Sequence, residues 1–158
     1  MSSKKDHSDT RAMDTSTQGS TEIDSGLIDA YRAASYWVGE ADAAFCLRVG
    51  ELSQELARLF RDRGVGSAAY ITAFNPYSRQ PSPDENEAAH HALLRAMRER
   101  RVAVVHAVSK ASDGTHAEKG LVALGLARDA AIELGKRFEQ NAIVFADTNA
   151  TPELLLLR

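Results

Sequence analysis

Polar residues that suit ligand recognition cluster in the segment 72–90, between an apolar run and a helical pattern. Asn75 ends the apolar run, and Ser78 and Arg79 follow it in a short loop. Asn86 shares a helix face with apolar residues three and seven positions later. In α/β sheets, ligands collect where strands end and helices begin, and a guanidinium can clamp an anionic group. The segment therefore predicts a polar pocket.

Two further polar residues stand beside predicted elements. Glu118 precedes the apolar run 121–126, and Gln140 follows a helical pattern. A buried Glu118 near Arg79 would form a structural ion pair, whereas an open one could act as a general base. Gln140 either caps the last carbonyl groups of its helix or faces a ligand. Asn86 likewise either ties the loop at Asn75 to the helix or faces a ligand. The candidate ligand-binding residues are Asn75, Ser78, Arg79, Asn86, Glu118 and Gln140.

Other kinds of chemistry have little support in the spacing. No glycine lies between Phe74 and Ser82, so this loop is not of the phosphate-binding type. His90 and His91 are adjacent and would point about 100° apart on a helix, and the chain has no metal-ligating His-x-x-x-His or Cys-x-x-Cys spacing. The single cysteine, Cys46, lies in an apolar run, as buried free cysteines do. We therefore expect no metal and no cofactor.

Hydrophobic periodicity predicts the elements that position these residues. Helical spacing is found at 27–34, 51–63, 84–101 and 128–139. Strand-like runs are found at 36–38, 44–49, 68–74, 102–108, 121–126, 142–146 and 153–157. Ser82, Pro83 and Glu85 predict the start of the long helix through a capping box with proline in the first turn. Because strands alternate with helices and also form hairpins, we predict an α/β fold, with α+β as the alternative: one mixed sheet with three to four helices packed on it.

The four consecutive leucines Leu154 to Leu157 do not alternate between a buried and an exposed face. Either other elements cover both faces of this strand, or one face forms an oligomer contact. We favour coverage within the monomer, and expect a monomer or a homodimer.

The composition of residues 1–26 separates them from the rest of the 158-residue chain, because ten are Ser or Thr and none is aromatic. We predict a disordered tail over 1–26 and a single domain over 27–158. A net charge of −3, with no apolar run near the roughly 18 residues of a membrane span, gives no indication of nucleic-acid or membrane partners. We expect a cytoplasmic protein.

Two motifs resemble a known family. The sequence ITAFNP (71–76), followed by Ser82 and Glu85-Asn86, is similar to the domain-of-unknown-function 3293 family, and so is RFEQNA (137–142). Glu139 stands where that family usually has glycine. The resemblance covers roughly residues 27–158. It implies bacterial origin and a small α/β domain without an established activity, so no catalytic residue is carried over.

Three functions follow as hypotheses. The first is a small ligand-binding or regulatory module with its pocket at 72–90, which takes a small polar ligand or a protein segment. The second is a small metal-independent hydrolase or transferase with Glu118 or a histidine as base. The third is a protein–protein adaptor that uses the leucine strand. We favour the first, because no catalytic or metal-binding signature is present.

Overall fold

The computed structural model describes residues 23–158, which form one sheet of seven strands with four α-helices. The helices are α1 (Ser25–Ala33), α2 (Gln54–Arg63), α3 (Pro83–Glu99) and α4 (Arg128–Arg137). The strands are β1 (Ser35–Val38), β2 (Phe45–Leu47), β3 (Ala68–Thr72), β4 (Ala103–Lys110), β5 (Ala117–Leu124), β6 (Ala142–Ala146) and β7 (Glu153–Leu156). Within this part of the chain, no helix combines the length and the hydropathy that crossing a bilayer requires.

The strand order is β2-β1-β4-β5-β3-β6-β7, and every pairing is antiparallel. The α/β fold class with four helices is confirmed, but the pairing differs from the mixed sheet that the sequence predicted. The helical connections do join strands that run in the same direction. Other strands are inserted between the members of each such pair: β5 separates β3 from β4, β3 separates β5 from β6, and three strands separate β2 from β3. Sequence order shows the connections but not these insertions.

Alternate residues of the strands pack into two separate apolar clusters, one on each face of the sheet. On β3, Tyr70 belongs to the first cluster and Ile71 to the second. Helix α2 packs on the first face through Leu56 and Phe60. The second face is covered by α3 and α4, whose inward residues include Leu93, Met97, Ala131 and Leu134. The domain therefore has helices on both faces of the sheet.

The start of α3 follows the predicted pattern. Ser82 accepts a hydrogen bond from the Glu85 N–H, the Glu85 side chain accepts one from the Ser82 N–H, and Pro83 occupies the first turn. The capping box is confirmed. It fixes the helix start close to the loop that carries Asn75.

Strand β5 begins at Ala117, four residues before the predicted start at 121. Glu118, which the sequence placed before this strand, lies on it, paired with Ser109 of β4. Residues 117–120 did not show an apolar strand pattern, so the sequence did not predict a strand there. They are nevertheless paired, because this hairpin continues beyond the apolar core. The position of Glu118 on a strand matters for the site, because a strand holds its side chain in a fixed orientation.

Helix α1 begins at Ser25 with Asp24 as its N-cap, so the helix starts two residues before the predicted boundary at 27. The rest of the predicted tail, residues 1–22, lies outside the described residues. At the other end, β7 is an edge strand. Leu154 packs on the first cluster, Leu155 and Leu157 pack on the second, and Leu156 is 45% exposed. Most of the leucine run is thus covered within the chain.

Candidate functional site

A cavity of about 270 Å³ lies between α1 and the first face of the sheet. Three tyrosines line it, Tyr31 of α1, Tyr36 of β1 and Tyr70 of β3, and we call it the tyrosine cavity. Its polar wall is formed by residues from four segments: Thr72, Asn75 and Ser78; Ser109 and Lys110; His116 and Glu118; Gln140 and Asn141. Its apolar wall includes Leu27, Ala30, Ala34, Val144 and Leu154.

A chain of hydrogen bonds joins three of the candidate residues. The Asn75 side-chain amide donates to Glu118 Oε2 at 2.8 Å. Asn86 Oδ1 accepts from the backbone N–H of Asn75, and Asn86 Nδ2 donates to Asn75 Oδ1, both at 3.0 Å. Asn86 is only 9% exposed and does not line the cavity. It therefore ties the loop to α3, and Asn75 in turn holds the Glu118 carboxylate through its side-chain hydrogen bond.

Glu118 places a carboxylate in the wall of the tyrosine cavity. Burial raises the pKa of this carboxyl above its usual value, and the Asn75 hydrogen bond and the nearby His116 lower it by less. Within residues 23–158 no Lys, Arg or His nitrogen lies within 4.0 Å of the carboxylate. The ion pair with Arg79 that the sequence allowed is thus not formed.

The tyrosines are positioned by the sheet. Tyr36 and Tyr70 pack edge to face with ring centroids 5.1 Å apart. The Tyr70 side chain lies so close over Gly120 that a Cβ there would be 2.7 Å from two of its ring carbons and from its hydroxyl oxygen. This approach brings the Tyr70 hydroxyl to the backbone oxygen of Glu118, to which it donates at 3.0 Å. Tyr36 donates to the backbone oxygen of Tyr31 at 2.7 Å, which connects β1 to α1.

The loop after β3 has an unusual backbone. Asn75, Tyr77 and Ser78 all have positive φ, between 49° and 63°. Each such residue costs of order 1 kcal/mol or more, so the surroundings must hold the loop in place. The segment after α4 does so: the Tyr77 N–H donates to Glu139 O at 2.7 Å, and Asn141 Nδ2 donates to Ser78 Oγ at 3.0 Å.

The left-handed turns also direct Arg79 away from the cavity. Its side chain is exposed and pairs with Glu139 at 3.0 Å, so its expected position beside Glu118 is wrong. Gln140 is buried, lines the cavity, and donates to Phe138 O at the end of α4 and to Phe74 O. It therefore serves as the helix cap that the sequence suggested and also borders the pocket.

Sequence reasoning missed the tyrosines and Asn141. Tyr70 and Thr72 alternate along a buried strand, so their polar tips point to the same face, and that spacing was the available signal. Asn141 is buried and donates to the hydroxyl of Tyr31 at 3.2 Å. Its partner lies 110 residues away, and no local pattern indicates such a contact.

A second cavity, of about 400 Å³, lies on the opposite face and is lined by His90, His91, His106 and Lys119. The His90 ring is buried, and burial lowers the pKa of this imidazole. Its Nδ1 has no hydrogen-bond partner among residues 23–158. Across residues 23–158, no group of three His, Cys, Asp or Glu side chains is arranged to hold a metal ion.

Comparison with known families gives one match. A family model described as "Protein of unknown function (DUF3293)" matches residues 71–143, a little under half of the chain. The matched segment is similar to the DUF3293 family, in agreement with the two motifs at 71–76 and 137–142. Searches of curated proteins and of solved structures found no significant match.

The DUF3293 segment runs from β3 through α3, β4, β5 and α4 into β6. It contains the polar wall of the tyrosine cavity, including Asn75, Glu118, Gln140 and Asn141. Helix α1 with Tyr31, and β1 with Tyr36, lie outside the matched residues. The cavity thus joins the DUF3293 segment to the helix and strand that precede it in the chain.

Proposed function

We propose that this protein is a small-ligand binding or regulatory module whose ligand occupies the tyrosine cavity beneath α1. The observation that carries the proposal is the apolar stripe of α1. Leu27, Ala30, Tyr31 and Ala34 recur at helical spacing and line the cavity. None of the residues within the helix is buried.

An amphipathic helix of nine residues derives its stability from packing its apolar face. In this protein that face borders the cavity instead of a filled core. The described contacts that hold α1 include two on Tyr31: its backbone oxygen accepts from Tyr36, and its hydroxyl accepts from Asn141. A ligand in the cavity would bury the apolar stripe and complete the packing of the helix.

The size of the cavity limits the ligand. Small-molecule sites usually enclose about 300–1,000 Å³, and this cavity, at about 270 Å³, is just below that range. A compact ligand with an apolar body and one polar group suits it, because the wall is apolar along α1 and polar around Glu118.

The test is a fragment screen by ligand-observed NMR on three proteins. The substitution Ala34→Leu adds bulk at a buried residue that lines the cavity, whereas Ala33→Leu adds the same bulk at an exposed neighbour. Fragments should bind the wild type and Ala33→Leu alike and lose at least about tenfold in affinity for Ala34→Leu. Equal binding to Ala34→Leu, or no binding to the wild type, would refute the proposal.

A small hydrolase or transferase is the second candidate, and one observation favours it. Glu118 is a cavity-lining carboxylate whose pKa is raised by burial, as that of a general base is when it is tuned toward neutral pH. For an enzyme, fragments that bind would include slowly converted substrates, and Glu118→Gln would abolish turnover while retaining binding. For a binding module, no fragment would be converted by either protein.

A further inference from the structure

We propose that the ligand of the tyrosine cavity is an organic cation, an alkyl ammonium whose charge lies at Glu118 and whose apolar body packs among the tyrosines. This rests on the proposed function and names the chemical class of its ligand. Three features of the cavity lead to it: a carboxylate without an ion pair among the described residues, aromatic rings, and amide donors that are engaged within the protein.

The first feature is the charge. A carboxylate that is withdrawn from water is normally paired with a cation. Glu118 has a hydrogen bond from Asn75 at 2.8 Å but no ion pair within the described part of the chain. Lys110 and His116 line the cavity but are themselves solvent-exposed. An ammonium group in the cavity would supply the counter-charge.

The second feature is the set of aromatic rings. Aromatic faces attract cations, and several rings around one site commonly recognise alkylammonium groups. Tyr36 and Tyr70 meet edge to face, and Tyr31 lines the same space from α1. The hydroxyls of Tyr36 and Tyr70 donate to backbone oxygens. The hydroxyl protons of these two tyrosines are therefore engaged within the protein, and a ligand would contact their aromatic rings.

The third feature concerns the amide donors of the polar wall. Asn75 Nδ2 donates to Glu118, and Gln140 Nε2 donates to backbone oxygens of Phe74 and Phe138. Asn141 Nδ2 donates to Tyr31 and to Ser78. With these amide donors engaged inside the protein, an anionic ligand would have to rely on hydroxyl groups such as that of Ser78 and on the exposed Lys110 and His116. A cation would find the carboxylate.

The experiment uses matched probes that differ in charge and little in shape. One pair is cyclohexylmethylamine with cyclohexylmethanol, and the other is choline with its neutral tert-butyl isostere; cyclohexanecarboxylate serves as the anion. Affinities are measured by NMR titration at neutral pH. In at least one pair the ammonium compound should bind at least about tenfold more tightly than its neutral partner, and the anion should bind more weakly than both.

Two variants locate the charge that is responsible. Glu118→Gln can keep the hydrogen bond from Asn75, and it should lower ammonium affinity about tenfold while leaving the affinity for the neutral probe within about twofold. Glu87→Gln removes the same charge from α3 at an exposed ion pair with Lys119 and should change neither. If neither pair favours the ammonium compound, or if Glu118→Gln has no effect, the ligand class is wrong. The proposed function would still stand if other fragments depend on Ala34. If no fragment binds the wild type, both proposals fail.

Discussion

Replacing Asn86 with alanine should destabilise the fold through the loop at Asn75. The change removes the acceptor of the Asn75 N–H and the donor to Asn75 Oδ1, both in hydrogen bonds of 3.0 Å. Leaving a buried polar group without a partner costs about 1–3 kcal/mol. These two groups are only partly buried, so each costs about 1–2 kcal/mol and both together about 2–4 kcal/mol. Alanine recovers roughly 0.6 kcal/mol through its higher helix propensity. The expected net loss in the free energy of unfolding is about 1.5–3.5 kcal/mol.

Urea unfolding followed by far-UV circular dichroism measures this loss. Arg95→Ala is the control, because Arg95 is exposed on the same helix, and it should change stability by less than about 0.5 kcal/mol. A double-mutant cycle with Asn75→Ala isolates the pair, since the backbone cost of alanine at the positive φ of Asn75 cancels in the cycle. A loss below about 0.5 kcal/mol for Asn86→Ala, or a coupling energy near zero, would show that the two amides do not hold the loop.

Three further predictions test the wall of the tyrosine cavity. Glu118→Gln should be more stable than the wild type near neutral pH, because burial raises the pKa of Glu118 and so makes its charged form costly in the folded state. The pKa of Glu118 in the folded protein lies above the reference value of 4.5, so the wild type loses stability as pH rises from about 4.5 through the folded pKa. Urea unfolding at several pH values should show that the stability advantage of Glu118→Gln vanishes in acid. A variant less stable than the wild type at neutral pH would contradict this. Burial raises the pKa of Tyr36 and Tyr70 far above that of a free tyrosine. In an alkaline absorbance titration, both tyrosines should stay protonated until the protein unfolds. The free energy of unfolding should fall above about pH 10, where unfolded tyrosines ionise. Reversible ionisation of all tyrosines in the folded protein would refute this prediction. Gly120→Ala should cost about 1–3 kcal/mol, because its Cβ would meet the Tyr70 ring. Adding Tyr70→Leu should reduce that cost, and an undiminished cost in thermal melts would point to a cause other than the ring.

The sequence predicted the elements better than their arrangement. Four helices and seven strands lie close to their predicted positions, because each carries a periodic apolar pattern or a cap that acts within a few residues. The order of the strands in the sheet depends on contacts between distant segments. A helix between two strands shows that they run in the same direction, but it does not show whether a third strand lies between them.

In the candidate site too, local features were predicted from the sequence, whereas contacts between distant segments were not. Asn86 was identified because a polar residue on an apolar helix face needs a tertiary partner, and Asn75 provides one. The position of Arg79 was predicted wrongly because the positive φ angles of Tyr77 and Ser78 turn the chain. Neither Tyr nor Ser indicates such a conformation in a sequence. The ligand-binding role of the candidate residues stays a prediction.

The position of β3 in the sheet has a consequence for the order of folding. Three hairpins, β1–β2, β4–β5 and β6–β7, pair strands that are close in sequence. Strand β3 pairs with β5 and β6, which lie further along the chain. Contacts between distant segments raise the contact order and slow folding, because a long loop must close before they form.

We therefore expect β3 to enter the sheet after the hairpins have formed, between β5 and β6. Tyr70, Thr72 and the turn at Asn75 arrive with it. Pulse-labelling hydrogen exchange should show late protection at residues 68–72 and early protection in the β4–β5 hairpin. A partly folded chain without β3 would lack one wall of the tyrosine cavity. A ligand could then bind only after β3 is in place, and it would slow unfolding without speeding folding.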